Sequence, residues 1–439
     1  MATEMGAPTT DAELQDIATL ARPLDTAGGL DPLIDRLGGV RVALLGEASH
    51  GTSEYYRWRA EISRRLIEER QASFVAVEGD WPDCFRINEW VKGRGDRDLS
   101  ARQVLDRFER WPTWMWANEE VVEFIEWLRD HNERTGANVG FYGLDVYSLW
   151  ESLEGIMAYL GEHDSGAVEA ARDAARCFDP YHEDPQRYAR ATRLIPTSCE
   201  DEVVGLLGEM RKSHEPPADG AEAELDAIQN AEVLRGAERY YRTMVRGNAD
   251  SWNVRDQHMI DTLDRLLRYH GQQAKGVVWE HNTHIGDARA TDMARAGMFN
   301  VGQLARERYG ADDVALVGFG GHRGGVIAGE EWGARMRRMP VPPAPAGSHE
   351  DLLHQVSPRP TLLVFPEQRD TPWLSARRGH RAIGVVYHPD IDHLGNWVPT
   401  TMGGRYDAFC FFDDTEALHP LHMEQAQRAG EHLTEPWGT

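Results

Sequence analysis

The sequence predicts an α/β protein with a mostly parallel central sheet flanked by helices, on three observations. Short apolar runs recur at Val40 to Leu45, Phe74 to Val77, Val139 to Tyr142, Val277 to Trp279, Val314 to Val317, Leu362 to Phe365, Ile383 to Tyr387 and Phe409 to Phe412. Their apolarity is continuous rather than alternating, as in strands covered on both faces. Helix-forming stretches separate most of the early runs, a rhythm that points to βαβ units and parallel neighbours. The later runs lie closer together and allow partly antiparallel pairing. Between Asp145 and Lys275 no strand pattern occurs, while Glu151 to Leu160, Ala221 to Arg246 and Val254 to His270 carry helix formers at helical spacing.

One α/β catalytic domain spanning residues 1–439, with a helical insertion at 146–274 forming one side of the cleft, follows from this pattern. The insertion's most linker-like piece is Ser213 to Gly220, with Glu215-Pro216-Pro217; a second proline-rich passage runs from Pro340 to Gly347. Gly318 to Gly325 is glycine-rich but lacks the lysine and hydroxyl residue of a phosphate loop, so it reads as a backbone turn.

Composition narrows the function classes. With 41% apolar residues the chain can bury a sizeable core, and a net charge of −25 opposes sequence-independent attachment to nucleic acid or to an anionic membrane. Neutral or cationic small molecules remain. The cysteines, Cys84, Cys177, Cys199 and Cys410, are far apart and form no C-x-x-C pair, so neither a disulfide framework nor a cysteine zinc site is expected. No basic and apolar leader and no bilayer-length apolar run occurs, and the expected setting is a reducing cytoplasm.

Chemistry gathers where the predicted strands end. Val42 to Leu45 runs into Gly46-Glu47-Ala48-Ser49-His50-Gly51, Phe74 to Val77 into Glu78-Gly79-Asp80, and Val277 to Trp279 into Glu280-His281-Asn282-Thr283-His284. In an open parallel sheet such ends share a rim where ligands bind. Two carboxylates and three histidines there exceed what capping needs, and buried charges are costly without partners. The following helix begins near Ser53 and buries Tyr55, Trp58, Ile62 and Leu66 at helical spacing. Arg59 flanks that stripe, either to pair Glu47 or Glu78 or to bind substrate oxygen, or merely to snorkel; Arg65 flanks it too, and spacing does not choose.

Absences constrain the mechanism. Glu47 stands where a nucleophile elbow on Ser49 would need glycine, so Ser49 is a weak nucleophile candidate. His349-Glu350-Asp351-Leu352-Leu353-His354 misses H-E-x-x-H by one residue, which turns its imidazoles to different faces and suggests a surface helix. Attack by water is then the leading chemistry, with His50 as the base. Glu47 or Glu78 would hold its tautomer, and His281, His284 or Arg59 would stabilise the oxyanion.

These residues together, Gly46-Glu47-x-x-His50-Gly51, the helix with Arg59, Glu78 after the second strand, and Trp279-x-His281-Asn282-x-His284, resemble the erythromycin esterase family. The resemblance extends from about Val40 to the segment Arg405 to Phe409. It implies an α/β core with a helical part over the cleft, distinct from the nucleophile-elbow fold, and macrolide lactone hydrolysis by activated water without a required metal or other cofactor. Glu47, His50, Arg59, Glu78, His281 and His284 are the positions that carry over, with His50 as base. This match alone promotes Arg59 over Arg65.

Trp111-Pro112-Thr113-Trp114-Met115-Trp116 either forms an apolar wall for a macrocycle, with Trp114 and Trp116 touching substrate, or closes the core. His322-Arg323 departs from the family's glycine turn and makes His322 a further substrate-binding candidate. Three rivals stand: a hydrolase holding zinc or manganese on the same glutamates and histidines, a non-catalytic haem or small-molecule binding protein, and an esterase whose acceptor is an alcohol.

Overall fold

The computed structural model describes residues 8–163, 166–181, 185–194, 198–212, 221–244 and 249–423. The chain forms two compact units. The described residues of the first fall within Met1–Ala76, Trp90–Gly140 and Gln273–Gln427, and those of the second within Val77–Glu89 and Phe141–Gln272. The predicted linker at Ser213 to Gly220 lies outside the described residues.

Eleven strands are described: β1 (Ala21–Pro23), β2 (Val42–Leu45), β3 (Phe74–Asp80), β4 (Gly140–Asp145), β5 (Gly276–Trp279), β6 (Val314–Ala328), β7 (Arg337–Val341), β8 (Thr361–Val364), β9 (Arg377–Arg381), β10 (Trp397–Thr401) and β11 (Ala408–Thr415). In the first unit the order runs β1-β8-β11-β6-β2-β5, with β7 paired to β6 and a separate β9-β10 ribbon. The strands β5, β2, β6 and β11 are mutually parallel, whereas β8 and β1 add antiparallel at the edge. Every residue of β2 and β5 is buried. The expected α/β class with a helix-flanked central sheet is therefore observed, and the continuous apolar runs are explained by covering on both faces.

The second unit contains the predicted helical stretch as six helices: Leu149–His163, Val168–Phe178, Pro185–Leu194, Glu200–Lys212, Ala221–Met244 and Ala249–Tyr269. Leu149, Ile156, Leu206, Leu234, Ala237 and Tyr240 build its core at helical spacing. Among the described residues no helix is long and apolar enough to cross a membrane.

Four expectations are corrected. Gly318 to Gly325 is no turn but the middle of β6. A Cβ at Gly318 or Gly320 would press into Phe409, so the glycines give the neighbouring strand's aromatic ring room. Ile383 to Tyr387 is not a strand: Ile383 N–H and Tyr387 N–H donate singly to Ala48 and Gly329, and the regular pairing lies upstream in β9.

His349–Val356 is helical but not superficial. Its first turn is buried, with Ser348 as N-cap and His349 and Glu350 fully enclosed. The imidazoles do diverge, His349 toward Trp373 and Thr400, His354 toward Asp413. Finally, Cys177 and Cys199 form a disulfide, while Cys84 and Cys410 are buried thiols. The two cysteines lie 22 residues apart, and no local pattern joins them. The cysteine argument for a reducing compartment falls with it.

Candidate active site

Glu47 and His50 sit on the loop that leaves β2. Two glycines let that loop lie flat against its neighbours: a Cβ on Gly46 would collide with the Asn282 side chain, and one on Gly51 with the Ile327 backbone. Backbone bonds then pin it, from Gly46 N–H to Val317 O at 2.8 Å, from Asn282 N–H to Glu47 O at 2.8 Å, and from Ile383 N–H to Ala48 O at 2.8 Å. A loop held at so many points can place side chains as firmly as a strand does.

The side chains form one bonded line. His50 Nδ1 lies 2.9 Å from Glu47 Oε1, and Arg59 Nη2 donates to Glu47 Oε2 at 2.8 Å. An ionised carboxylate only accepts, so His50 Nδ1 carries the proton and Nε2 holds the basic lone pair. Arg59 is 0% exposed and stacks between Tyr56 at 4.4 Å and Trp279 at 5.1 Å. The guanidinium and the Glu47 carboxylate thus pair in a buried setting, where a charge-assisted hydrogen bond is strong. Arg65, by contrast, pairs Glu69 and Asp31 at the surface. The geometry thus separates two arginines that spacing left equivalent.

His281 caps the short Asn282–Ile285 helix and packs its ring 4.9 Å from that of His50. Its Nδ1 accepts from Thr283 N–H at 3.3 Å and meets Thr283 Oγ1 at 2.8 Å, which leaves the ring proton on Nε2. His284 is buried on the same turn, and its N–H donates to His281 O at 2.9 Å. Glu47, His50, Arg59 and His281 are therefore gathered within the first unit, with His284 on the same turn as His281.

Glu78 belongs to the second unit. Arg255 reaches it with Nη2 at 2.7 Å and grips Asp145 through Nε at 2.9 Å and Nη2 at 2.6 Å. All three are buried. Sequence reading missed Arg255 and Asp145 because the partners lie 177 and 110 residues apart, with no local pattern to join them. Asn282 lies within the Trp279-x-His281-Asn282-x-His284 motif, and no local signal shows that its side chain bonds Phe319 on both its nitrogen and its oxygen.

The substrate-binding candidates pack differently. Trp114 and Trp116 are buried, Trp114 edge-on to Trp111 and Trp116 edge-on to Tyr56. Their observed contacts are those of core packing. His322 is buried in β6 and its ring stacks 3.9 Å from His354, whose Nδ1 meets Asp413 at 2.5 Å. Burial, helped by the neighbouring His354, lowers the pKa of His322. Among the described residues no group of three or more His, Cys, Asp and Glu side chains is arranged to hold a metal ion.

Comparison with known proteins decides the family. The erythromycin esterase family model matches residues 67–415. The chain belongs to the erythromycin esterase family. Within that matched segment lie Glu78, His281 and His284, while Glu47, His50 and Arg59 precede it. The chain is similar to an erythromycin esterase type II of Escherichia coli, 28% identical over 334 residues, which cover 69% of this chain and 75% of the relative. A crystal structure of a succinoglycan biosynthesis protein shares the fold at TM-score 0.76 and 19% identity, covering 94% of this chain and 100% of that one. An erythromycin esterase mutant in its open conformation matches at TM-score 0.64 and 14% identity, over 89% of this chain and 94% of that one. Membership of the erythromycin esterase family supports an esterase-like hydrolase.

Proposed function

We propose that this esterase-like protein hydrolyses a carboxylic ester or macrolactone with water activated by His50, without a metal or other cofactor. The Arg59, Glu47, His50 line is the observation that carries the reading, since it fixes one imidazole tautomer and directs the lone pair of Nε2 outward from the carboxylate. His50 Nε2 takes a proton from water as the water oxygen bonds to the ester carbonyl carbon. Negative charge moves to the carbonyl oxygen, and His281, protonated on Nε2, is the neutral donor that meets it. The intermediate then collapses, the carbon to alkoxide bond breaks, and His50 returns its proton to the leaving oxygen. An acid and an alcohol result, joined in one opened chain when the substrate is a lactone.

Several features support a macrolide as the substrate. The family model and the E. coli relative both carry the erythromycin esterase name, and the net charge of −25 suits a cationic amino sugar. Inactivation of a macrolide antibiotic is the corresponding biological role. Glu78, bonded to Arg255, carries over by resemblance as a second carboxylate of the reaction.

Mass spectrometry after incubation with a panel of macrolactones and simple esters tests the reading. Lactone products should gain the mass of one water, and His50→Ala should lower kcat by about 10² to 10⁴-fold with folding intact. A product carrying an added alcohol in place of water would overturn hydrolysis. So would full turnover by His50→Ala. Stoichiometric bound metal together with turnover abolished by chelation would overturn the metal-free mechanism.

A further inference from the structure

We infer that Asn282 is the positioning residue for Glu47, His50 and His281, and that the buried pair Glu350 and His380 acts on that group through it. The inference rests on the hydrolytic reading above and adds three side chains to it. Asn282 lies between the reacting groups in the bonding pattern: its N–H donates to Glu47 O at 2.8 Å, and it follows His281 directly in the chain. Gly46, next to Glu47, has no Cβ because the Asn282 amide occupies that space.

The amide has one permitted orientation. Oδ1 accepts from Phe319 N–H at 3.2 Å, so Nδ2 is the atom that donates to Phe319 O at 2.6 Å and faces His380 Nε2 at 3.3 Å. His380 Nε2 must then be an acceptor, a role that also suits the Tyr406 hydroxyl donating to it at 3.1 Å. Its proton accordingly sits on Nδ1, which donates to Glu350 Oε1 at 2.5 Å, and the same oxygen accepts from Arg381 N–H at 3.0 Å. Asn282, His380 and Glu350 are all fully buried. Arg405 closes the frame by donating from Nη2 to Asn282 O at 3.0 Å.

The order of cause runs from Glu350 to the reacting loop. The carboxylate selects the His380 tautomer, that tautomer presents an acceptor to the amide orientation that Phe319 sets, and the amide held at all three points locks the turn that carries His281 against the loop that carries Glu47. A side chain that positions others in this way changes the rate of the chemical step more than substrate affinity, because misplacement by about 1 Å costs about 10²-fold in rate.

Three variants and two readouts test this. Asn282→Asp keeps the shape but loses the two amide donors, and His380→Leu removes the acceptor. His380→Gln places a carbonyl oxygen near Nε2. With a chromogenic short-chain ester as probe, Asn282→Asp should lower kcat about 10²-fold with KM unchanged, His380→Leu should act in the same direction, and His380→Gln should restore most of kcat.

The second readout is the ¹⁵N NMR spectrum of the His50 imidazole, which reports its tautomer without turnover. A single Nδ1–H tautomer in the unaltered protein should become a mixture in Asn282→Asp and His380→Leu. If Asn282→Asp does not fold, the His380 pair carries the test alone. Unchanged kcat and an unchanged His50 tautomer in His380→Leu would overturn the inference while leaving the hydrolytic reading intact. If the unaltered protein hydrolyses no ester at all, that reading fails and the tautomer measurement still decides the positioning role.

Discussion

Two glutamate and histidine pairs in the first unit look alike and differ in what surrounds them. In one, His50 Nδ1 meets Glu47 at 2.9 Å; in the other, His380 Nδ1 meets Glu350 at 2.5 Å. Each carboxylate has a second donor, Arg59 for Glu47 and Arg381 N–H for Glu350. The surroundings separate them. His380 sits inside β9 with Nε2 committed to Tyr406 and Asn282, whereas His50 lies on a loop at the end of β2 with its ring against a second histidine. A base must turn its lone pair to a reactant, so a histidine with both nitrogens committed to protein groups is a framework element. Under the proposed hydrolysis, the same pair of residue types serves as machinery in one place and as scaffold in the other.

Titration behaviour follows the same division. Burial drives His380 below its ordinary pKa against the pull of Glu350. Burial would raise Glu350, but His380 and Arg381 outweigh it and hold the carboxyl below its ordinary value. The pair is therefore an ionised glutamate beside a neutral imidazole, the state that the Asn282 amide requires.

Glu47→Gln is the substitution with the largest expected effect on this comparison. A glutamine offers His50 Nδ1 either a donor or an acceptor, so the tautomer is no longer dictated, and kcat should fall by about 10² to 10⁴-fold. Arg59 is also left buried without its carboxylate, which should cost about 3 to 5 kcal/mol of stability. Activity must therefore be measured well below the new Tm, with circular dichroism as the control. Should Glu47→Gln lower Tm yet leave kcat untouched, Glu47 and His50 would be scaffold like Glu350 and His380, and the distinction would be lost.

What the sequence revealed of each pair depended on chain distance. Glu47 and His50 are three residues apart between two glycines, at the end of a run whose apolarity marks a buried strand. Glu350 and His380 are 30 residues apart, and nothing near either one signals the other. The same reason hid β9, whose Arg377-Arg378-Gly379-His380-Arg381 has no apolar pattern at all. Arg378 and Arg381 are buried there because Glu13 pairs the first and Asp392 the second, partners from outside the strand. The central strands were legible because their burial needs no partner beyond neighbouring apolar groups. Polar strands, the disulfide and the arginine that holds Glu78 depend on long-range pairing, which periodicity does not record.

A pH series separates the two kinds of histidine with a smaller effect. His349, buried beside His380, has its pKa pushed down to about 4 by burial. It donates to Thr400 O and accepts from Trp373 Nε1, both suited to the neutral ring. In the unfolded chain it would take up a proton near pH 6.5. Below that pH the unfolded state binds more protons than the folded one, so stability falls as pH drops from about 6.5 toward 4, by up to about 1.4 kcal/mol per pH unit for this group. His349→Gln, which keeps a donor and an acceptor, should flatten that part of the Tm against pH curve without moving the pH dependence of kcat. A shift of the kcat profile by His349→Gln would show that the framework histidines titrate with the reaction and would break the division.

The smallest effect is expected on the same helix that carries Arg59. Arg65, six residues on, pairs Glu69 at 2.6 Å and Asp31 at 2.7 Å, but both carboxylates are largely open to solvent. Water already stabilises those charges and salt screens them, so such pairs contribute about 0 to 1 kcal/mol. Arg65→Ala should lower Tm by no more than about 2 °C, leave kcat and KM unchanged, and lose even that difference at high ionic strength. Arg59→Ala strands a buried Glu47 and should reproduce most of the damage of Glu47→Gln. Two arginines that flank one helical stripe would thus differ by orders of magnitude in rate. Equal losses in the two variants would mean that Arg59 acts only as packing, and that the charge of Glu47 is held by something other than its buried guanidinium.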